Sequence, residues 1–286
     1  RSDVIMTLLT VALTILLAPV LGGLLVGIDR KLTARLQGRV GPPIIQPFYD
    51  LLKLLGKESI GVAADQLVYA VLHLGLIVSA LVLFVLGGDF LLILFLLTFG
   101  IVALILGAMS VSSPYSRIGA QRELISLLAY EPVLVAMVLG VYFTTGSFRL
   151  EEVLRYPKFL ILELPLVFMA MLFALTIKLR KSPFDFSTSH HGHQEIVKGI
   201  TTEFSGPTLA VLEMAHWYEL VLLLLMVGLF FAQNLLLACV AALLSYLAEI
   251  VLDNVTARLT WKVMLRYAWT VGLLMAVINL AWVYVN

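Results

Sequence analysis

The stretch LVYAVLHLGLIVSALVLFVLGGDFLLILFLLTFGIVALILGAM, residues 67–109, carries a single charged side chain, Asp89. A hydrocarbon core about 30 Å thick is crossed by about 20 helical residues rising roughly 1.5 Å each. The stretch supplies two such runs, 67–87 and 90–111, turning at Gly87, Gly88 and Asp89. That pattern predicts two membrane-spanning helices joined by a tight hairpin. Outward from it, apolar runs recur at 4–27, 124–145, 159–177, 207–232, 234–252 and 267–285, and the pair 207–232 and 234–252 is separated by little more than Gln233 and Asn234. The expected fold is an all-α integral membrane protein of eight transmembrane helices in a single domain, residues 1–286. Composition agrees: 61% of residues are hydrophobic and 13% charged, whereas soluble domains carry about a quarter charged residues. The first run, Val4 to about Gly27, is too long for a signal-peptide core and lacks a small-residue cleavage site, so it is expected to stay as a helix.

Threading the spans alternately places segments 28–66, 112–123, 178–206 and 253–266 on one face, and these hold fifteen of the nineteen Lys and Arg. The positive-inside tendency makes that face cytoplasmic and puts both termini outside. Tyr69, Tyr115, Tyr142, Trp261, Trp269, Trp282 and Tyr284 fall near predicted span ends, where amphipathic rings favour the interface. In the long first loop, 28–66, Ile44, Ile45, Phe48, Leu51, Leu52 and Leu55 recur at helical spacing opposite Asp50, Lys53 and Lys57, which predicts an amphipathic helix lying along the cytoplasmic membrane surface. The net charge of +1 comes without a basic stripe, so nucleic acid is not an expected partner. Cys239 is the only cysteine, and one thiolate holds neither an iron–sulfur cluster nor a structural zinc.

Carboxylates at lipid depth are costly, about 3 kcal/mol on insertion scales, and where present they mark ion or proton routes. Glu213, His216 and Glu219 follow one another at spacings of three in the sixth span and share a helix face about 120° wide. Lipid depth disfavours a bare carboxylate and a neighbouring imidazolium favours one, so the three residues can share a proton; the alternative is an interhelical polar contact that only fixes packing. Glu131 stands between Tyr130 and Pro132, and the proline removes a backbone donor beside an acid. Glu249 and Asp253 stack four apart on the seventh span and repel unless a proton or a cation such as Arg258 joins them. The second long loop, 178–206, holds Asp185, His190, His191, His193, Glu195 and Glu203. Its HHxH run lacks cysteine and the spacing of a closed zinc site, so no metal is assigned to it. Neither a phosphate-binding glycine loop, a nucleophile elbow nor HExxH is present, which leaves the chain without hydrolytic chemistry of its own.

Several loop segments carry a resemblance. RVGP at 39–42, QPFYDLLKL at 46–54, Tyr130-Glu131, PFD at 183–185 and EFSGP at 203–207 resemble, in order, the signatures of the NADH dehydrogenase subunit 1 family of respiratory complex I. SPYSRIGAQRE at 113–123, LLGKES at 54–59 and DNVTARL at 253–259 are most similar to the corresponding membrane subunit of energy-converting membrane-bound nickel–iron hydrogenases. In the long loop, STSHHGHQE at 187–195 replaces the acid-rich stretch of quinone-reducing relatives.

The resemblance implies a non-catalytic membrane-anchor and coupling subunit in the plasma membrane of a prokaryote. Its partners would be hydrogenase-like large and small subunits, which would hold the Ni–Fe site and iron–sulfur clusters, and antiporter-like membrane subunits. This chain would hold no cofactor. Electrons would pass from ferredoxin to protons while H⁺ or Na⁺ crosses the membrane. Glu131, Glu213, His216, Glu219, Glu249 and Asp253 are the expected ion relay. Arg39, Arg117, Asp185, His190, His191, His193, Glu195 and Glu203 are expected at the docking face. Three alternatives stay open: the same role in a sulfur-reducing or quinone-reducing complex, a stand-alone ion transporter, and a passive anchor. A transporter of that kind predicts an inverted repeat with matching broken helices, and the sequence has neither.

Overall fold

A computed structural model describes residues 2–58, 64–184 and 199–285. Twelve α-helices occupy them: α1 (Ser2–Leu36), α2 (Gln46–Leu55), α3 (Ala64–Val85), α4 (Phe90–Met109), α5 (Pro114–Thr145), α6 (Leu150–Leu154), α7 (Leu160–Glu163), α8 (Pro165–Lys178), α9 (Gly206–Leu229), α10 (Leu235–Val255), α11 (Trp261–Tyr267) and α12 (Leu273–Val285), with a π-helical turn, Ala268–Gly272, linking the last two. Seven stretches, Val4–Leu36, Asp65–Val85, Phe90–Met109, Pro114–Thr145, Gly206–Leu229, Leu235–Val255 and Trp261–Val285, are long and apolar enough to cross a membrane. The eighth expected span, 159–177, takes a different form. Pro165, which has no N–H, divides it into α7 and the 14-residue α8.

The contacts fall into two compact units. The described part of the first contains residues 2–58, 64–81, 96–124 and 199–221. In it α2 lies against α1. A Cβ on Gly23 would stand 2.6 Å from the Phe48 ring, and one on Gly27 would stand 1.8 Å from the Ile44 carbonyl oxygen. Only glycine admits so close a backbone approach. Arg30 of α1 pairs with Asp50 of α2 at 2.6 Å, and Gln46 donates to the other Asp50 oxygen at 2.9 Å. The Phe48 ring meets Trp217 of α9 edge-on, with centroids 5.2 Å apart. Ile45, Leu52 and Leu55 stay exposed, leaving α2 an uncovered apolar side as an interfacial helix requires. The loop signatures also converge here: Gly119 packs on Gly199 and Ile200, and Gly206 packs on the backbone of Lys57 and Glu58.

The second unit contains residues 82–95, 125–184 and 222–285. The predicted α3–α4 hairpin turn is stitched to the chain before α6: Phe90 N–H donates to Phe148 O at 2.8 Å and Leu150 N–H to Gly88 O at 3.0 Å. The division at Pro165 is repaired by one residue of α12. Asn279, which is buried, accepts from the N–H groups of Leu166 and Val167 at 2.8 and 3.2 Å and donates to Glu163 O at 2.9 Å. A broken helix at lipid depth needs such substitute partners, because no water is there to supply them.

Candidate functional site

The acids expected to form the relay fall in two places. In the first unit they lie on α9, where Glu219 is buried and Glu213 and His216 are half-buried. The helix keeps the expected face, and its neighbouring residues Trp217 and Tyr218 are turned toward α1: a Cβ on Gly22 would stand 2.4 Å from Trp217 O, and the Tyr218 hydroxyl donates to Ile15 O at 2.6 Å. That hydroxyl has a specific task. Ile15 O is the carbonyl that residue 19 would engage in an unbroken helix, and residue 19 is proline.

In the second unit the acids are held by other helices. Thr176 of α8 donates to Glu249 Oε1 at 3.0 Å, and both residues are buried. One turn on, Asp253 accepts from the backbone N–H of Ser182 at 2.8 Å and stands 3.5 Å from the Lys181 ammonium. The cation expected beside these stacked acids is therefore supplied, at Asp253, by Lys181. Lys178 is itself buried, with Nζ 3.4 Å from the Tyr130 hydroxyl and 4.9 Å from the centre of its ring. Glu131, half-buried, follows Tyr130 on α5. Pro132 leaves Leu128 O without its helical donor, and the indole N–H of Trp269 fills the place at 3.1 Å.

Thr176 and Lys181 thus meet Glu249 and Asp253 near the C-terminal ends of α8 and α10, and Lys178 meets Tyr130 in the middle of α5, one residue before Glu131. The sequence placed Lys178 and Lys181 in a cytoplasmic loop. Lys178 instead closes α8 with its charge turned inward, where a bare ammonium is costly unless oxygen atoms and aromatic faces receive it. Asn279 was invisible for a related reason: an asparagine in an apolar run announces a partner but not which one.

At the expected docking face, Arg39 and Arg117 are exposed and Glu203 is half-buried just before α9. Arg39 donates to the Gln37 side chain. Asp185, His190, His191, His193 and Glu195 lie outside the described residues. Among those described, no group of three or more His, Cys, Asp or Glu stands close enough to hold a metal ion.

Apolar helices of spanning length with acids and cations held between them define a multi-pass membrane protein. Comparison with known proteins narrows the class. Residues 7–284 match the NADH dehydrogenase family, and the chain belongs to it. It is 31% identical to hydrogenase-4 component C of Escherichia coli, over 98% of this chain and 95% of that one. It is 30% identical to a subunit of the NADH-quinone oxidoreductase of Thermomicrobium roseum, over 88% and 87% of the two chains. Among solved structures, a chain of the membrane-bound sulfane sulfur reductase, an archaeal respiratory membrane complex, superposes with a TM-score of 0.85 at 29% identity, covering 97% of this chain and 99% of that one. The protein is a membrane subunit of the complex I-like and hydrogenase-type class, as the sequence motifs implied.

Proposed function

We propose that this chain is the anchor and coupling subunit of a respiratory complex in the plasma membrane of a prokaryote. A cytoplasmic arm of hydrogenase-like large and small subunits, holding the Ni–Fe site and iron–sulfur clusters, passes electrons from ferredoxin to protons. Antiporter-like neighbours move H⁺ or Na⁺. The observation that carries the reading is a set of three inward-facing contacts, Lys178 with Tyr130, Thr176 with Glu249 and Lys181 with Asp253, because charges held at lipid depth are kept where ions must be handled.

Lys178, Lys181 and Ser182 are the last residues of α8 and the first of the long loop 178–206. A displacement of that loop by the docked arm, through Asp185, Glu195 and Glu203, draws Lys181 and the Ser182 N–H away from Asp253. Each carboxylate that loses a cation takes up a proton or Na⁺ in its place, and returns it when the lysine comes back. Glu131, Glu213, His216 and Glu219 extend the same exchange along α5 and α9. Arg39 and Arg117, both exposed, contact the arm.

A second reading, an arm that reduces sulfur compounds, is favoured by the likeness to the sulfane sulfur reductase chain. Proteins that co-purify in mild detergent, with hydrogen and sulfide production assayed side by side, separate the two arms. The coupling role is tested in vesicles driven by reduced ferredoxin. Glu131→Gln and Glu249→Gln are expected to assemble fully and lower ion uptake per electron at least tenfold, and unchanged uptake in both would leave the chain a passive anchor.

A further inference from the structure

The start of the last span holds a feature that ion handling does not use. Leu128, Trp261, Lys262, Leu265, Arg266 and Trp269 line an open groove of about 630 Å³ within the second unit. Trp261, Leu265 and Trp269 follow at spacings of four and form one apolar wall, and Lys262 and Arg266, also four apart, form the adjoining basic edge. Two like charges at that spacing repel, and neither has an acidic partner among the described residues. Lys262 Nζ lies 5.6 Å over the Trp261 ring. Trp261 and Trp269 are each about half exposed, and Trp261 is the first residue of the candidate span Trp261–Val285. The groove therefore sits at a span end, on the face that collects most of the basic residues.

We propose that this groove binds an anionic glycerophospholipid, its headgroup phosphate between Lys262 and Arg266 and an acyl chain along Leu128, Leu265 and Trp269. Charge and position both select this occupant. Basic pockets at the cytoplasmic ends of membrane helices attract anionic headgroups, and tryptophan favours headgroup depth. A free phosphate would satisfy the two cations and leave the tryptophan and leucine wall uncovered. The groove also has a structural role. Trp269 lies in the π-helical turn Ala268–Gly272, and its indole N–H supplies the hydrogen bond that Pro132 withholds from Leu128 O. A lipid seated on the outer face of Trp269 holds the ring in that position.

The test uses the whole complex, purified in mild detergent, stripped of lipid and titrated with phosphatidylglycerol or phosphatidylcholine, with bound lipid counted by native mass spectrometry. The intact complex is expected to prefer phosphatidylglycerol. Lys262→Gln with Arg266→Gln is expected to weaken that binding about twenty-five-fold, from a factor of about five for each basic residue, while Lys262→Arg with Arg266→Lys keeps it. Equal binding of the two lipids, or no loss in the neutral double variant, overturns the proposal. So does displacement of the lipid by inorganic phosphate alone, or a cross-link from Lys262 to a partner subunit in place of lipid.

Discussion

Pro19 in α1 and Pro132 in α5 pose the same problem and meet the same kind of answer. Each proline withholds a backbone donor inside a membrane span, and each orphaned carbonyl is satisfied by an aromatic side chain from another helix: Ile15 O by the Tyr218 hydroxyl at 2.6 Å, Leu128 O by the Trp269 indole at 3.1 Å. The settings differ. Tyr218 is buried at 4% exposure, whereas Trp269 is 51% exposed. Pro19 stands between Ala18 and Val20, whereas Pro132 follows Glu131. The first repair is sealed and serves architecture. The second is half open and adjoins an acid, so whatever rests on Trp269 bears on the backbone beside Glu131, which we propose as a relay residue.

Removing the two donors one at a time sharpens this contrast. Tyr218→Phe keeps the ring and deletes the hydroxyl, leaving Ile15 O with no partner in a place where water cannot substitute. The cost is expected near the top of the range for an unsatisfied buried group, about 3 kcal/mol. The check is a thermal or denaturant melt of the complex in detergent, repeated with Pro19→Ala. Alanine restores the helical N–H, so the loss on removing the hydroxyl should largely vanish in that background. A loss of equal size in both backgrounds would mean that the hydroxyl acts through packing alone.

Trp269→Phe is the matching change in the second unit, with a smaller expected cost of about 1 kcal/mol because the site is half open. Its larger consequence falls on function: ion uptake per electron should decline while assembly persists, and Pro132→Ala should restore it. If Trp269→Phe instead destabilised the complex as much as Tyr218→Phe does, the distinction between a sealed and an open repair would fail.

The sequence made plain whatever depends on composition and short spacing. The hairpin at Gly87–Asp89, the Glu213–His216–Glu219 face and the amphipathic character of 44–55 all follow from residues a few positions apart. The repairs did not show, because each joins residues far apart in the chain: Tyr218 to Ile15, Trp269 to Leu128, Asn279 to Glu163. The second polar cluster escaped in the same way. The spacing of Glu249 and Asp253 calls for a proton or a cation such as Arg258 between them, but it does not point to Thr176 of α8 and Lys181 just beyond that helix, which come from some seventy residues earlier. Periodicity finds the costly group, and only tertiary contact identifies what offsets it.

The seal over Pro19 extends to α2, because Phe48 packs on Trp217, the neighbour of Tyr218, and Asp50 helps to hold α2 in place. Burial alone would raise the Asp50 carboxyl, but hydrogen bonds from Gln46 and Arg30 and the charges of Arg30 and Lys53 outweigh it and hold the group below its ordinary value of 3.8. A carboxyl depressed in the folded state adds stability that is complete above its ordinary value and is lost as pH falls through the lower, folded value. The Arg30–Asp50 pair is substantially exposed, so the effect belongs to the surface range, about 0.5 kcal/mol. Protection of the 48–55 amides, taken relative to the intrinsic exchange rate at each pH, should therefore fall only in strong acid, and Asp50→Asn should show the lower protection already at neutral pH with no further fall on acidification. Exchange around Leu128 and Pro132 should not respond to that substitution, since their repair comes from Trp269 alone. A response there would show that the two proline gaps are coupled, and that the first is not sealed.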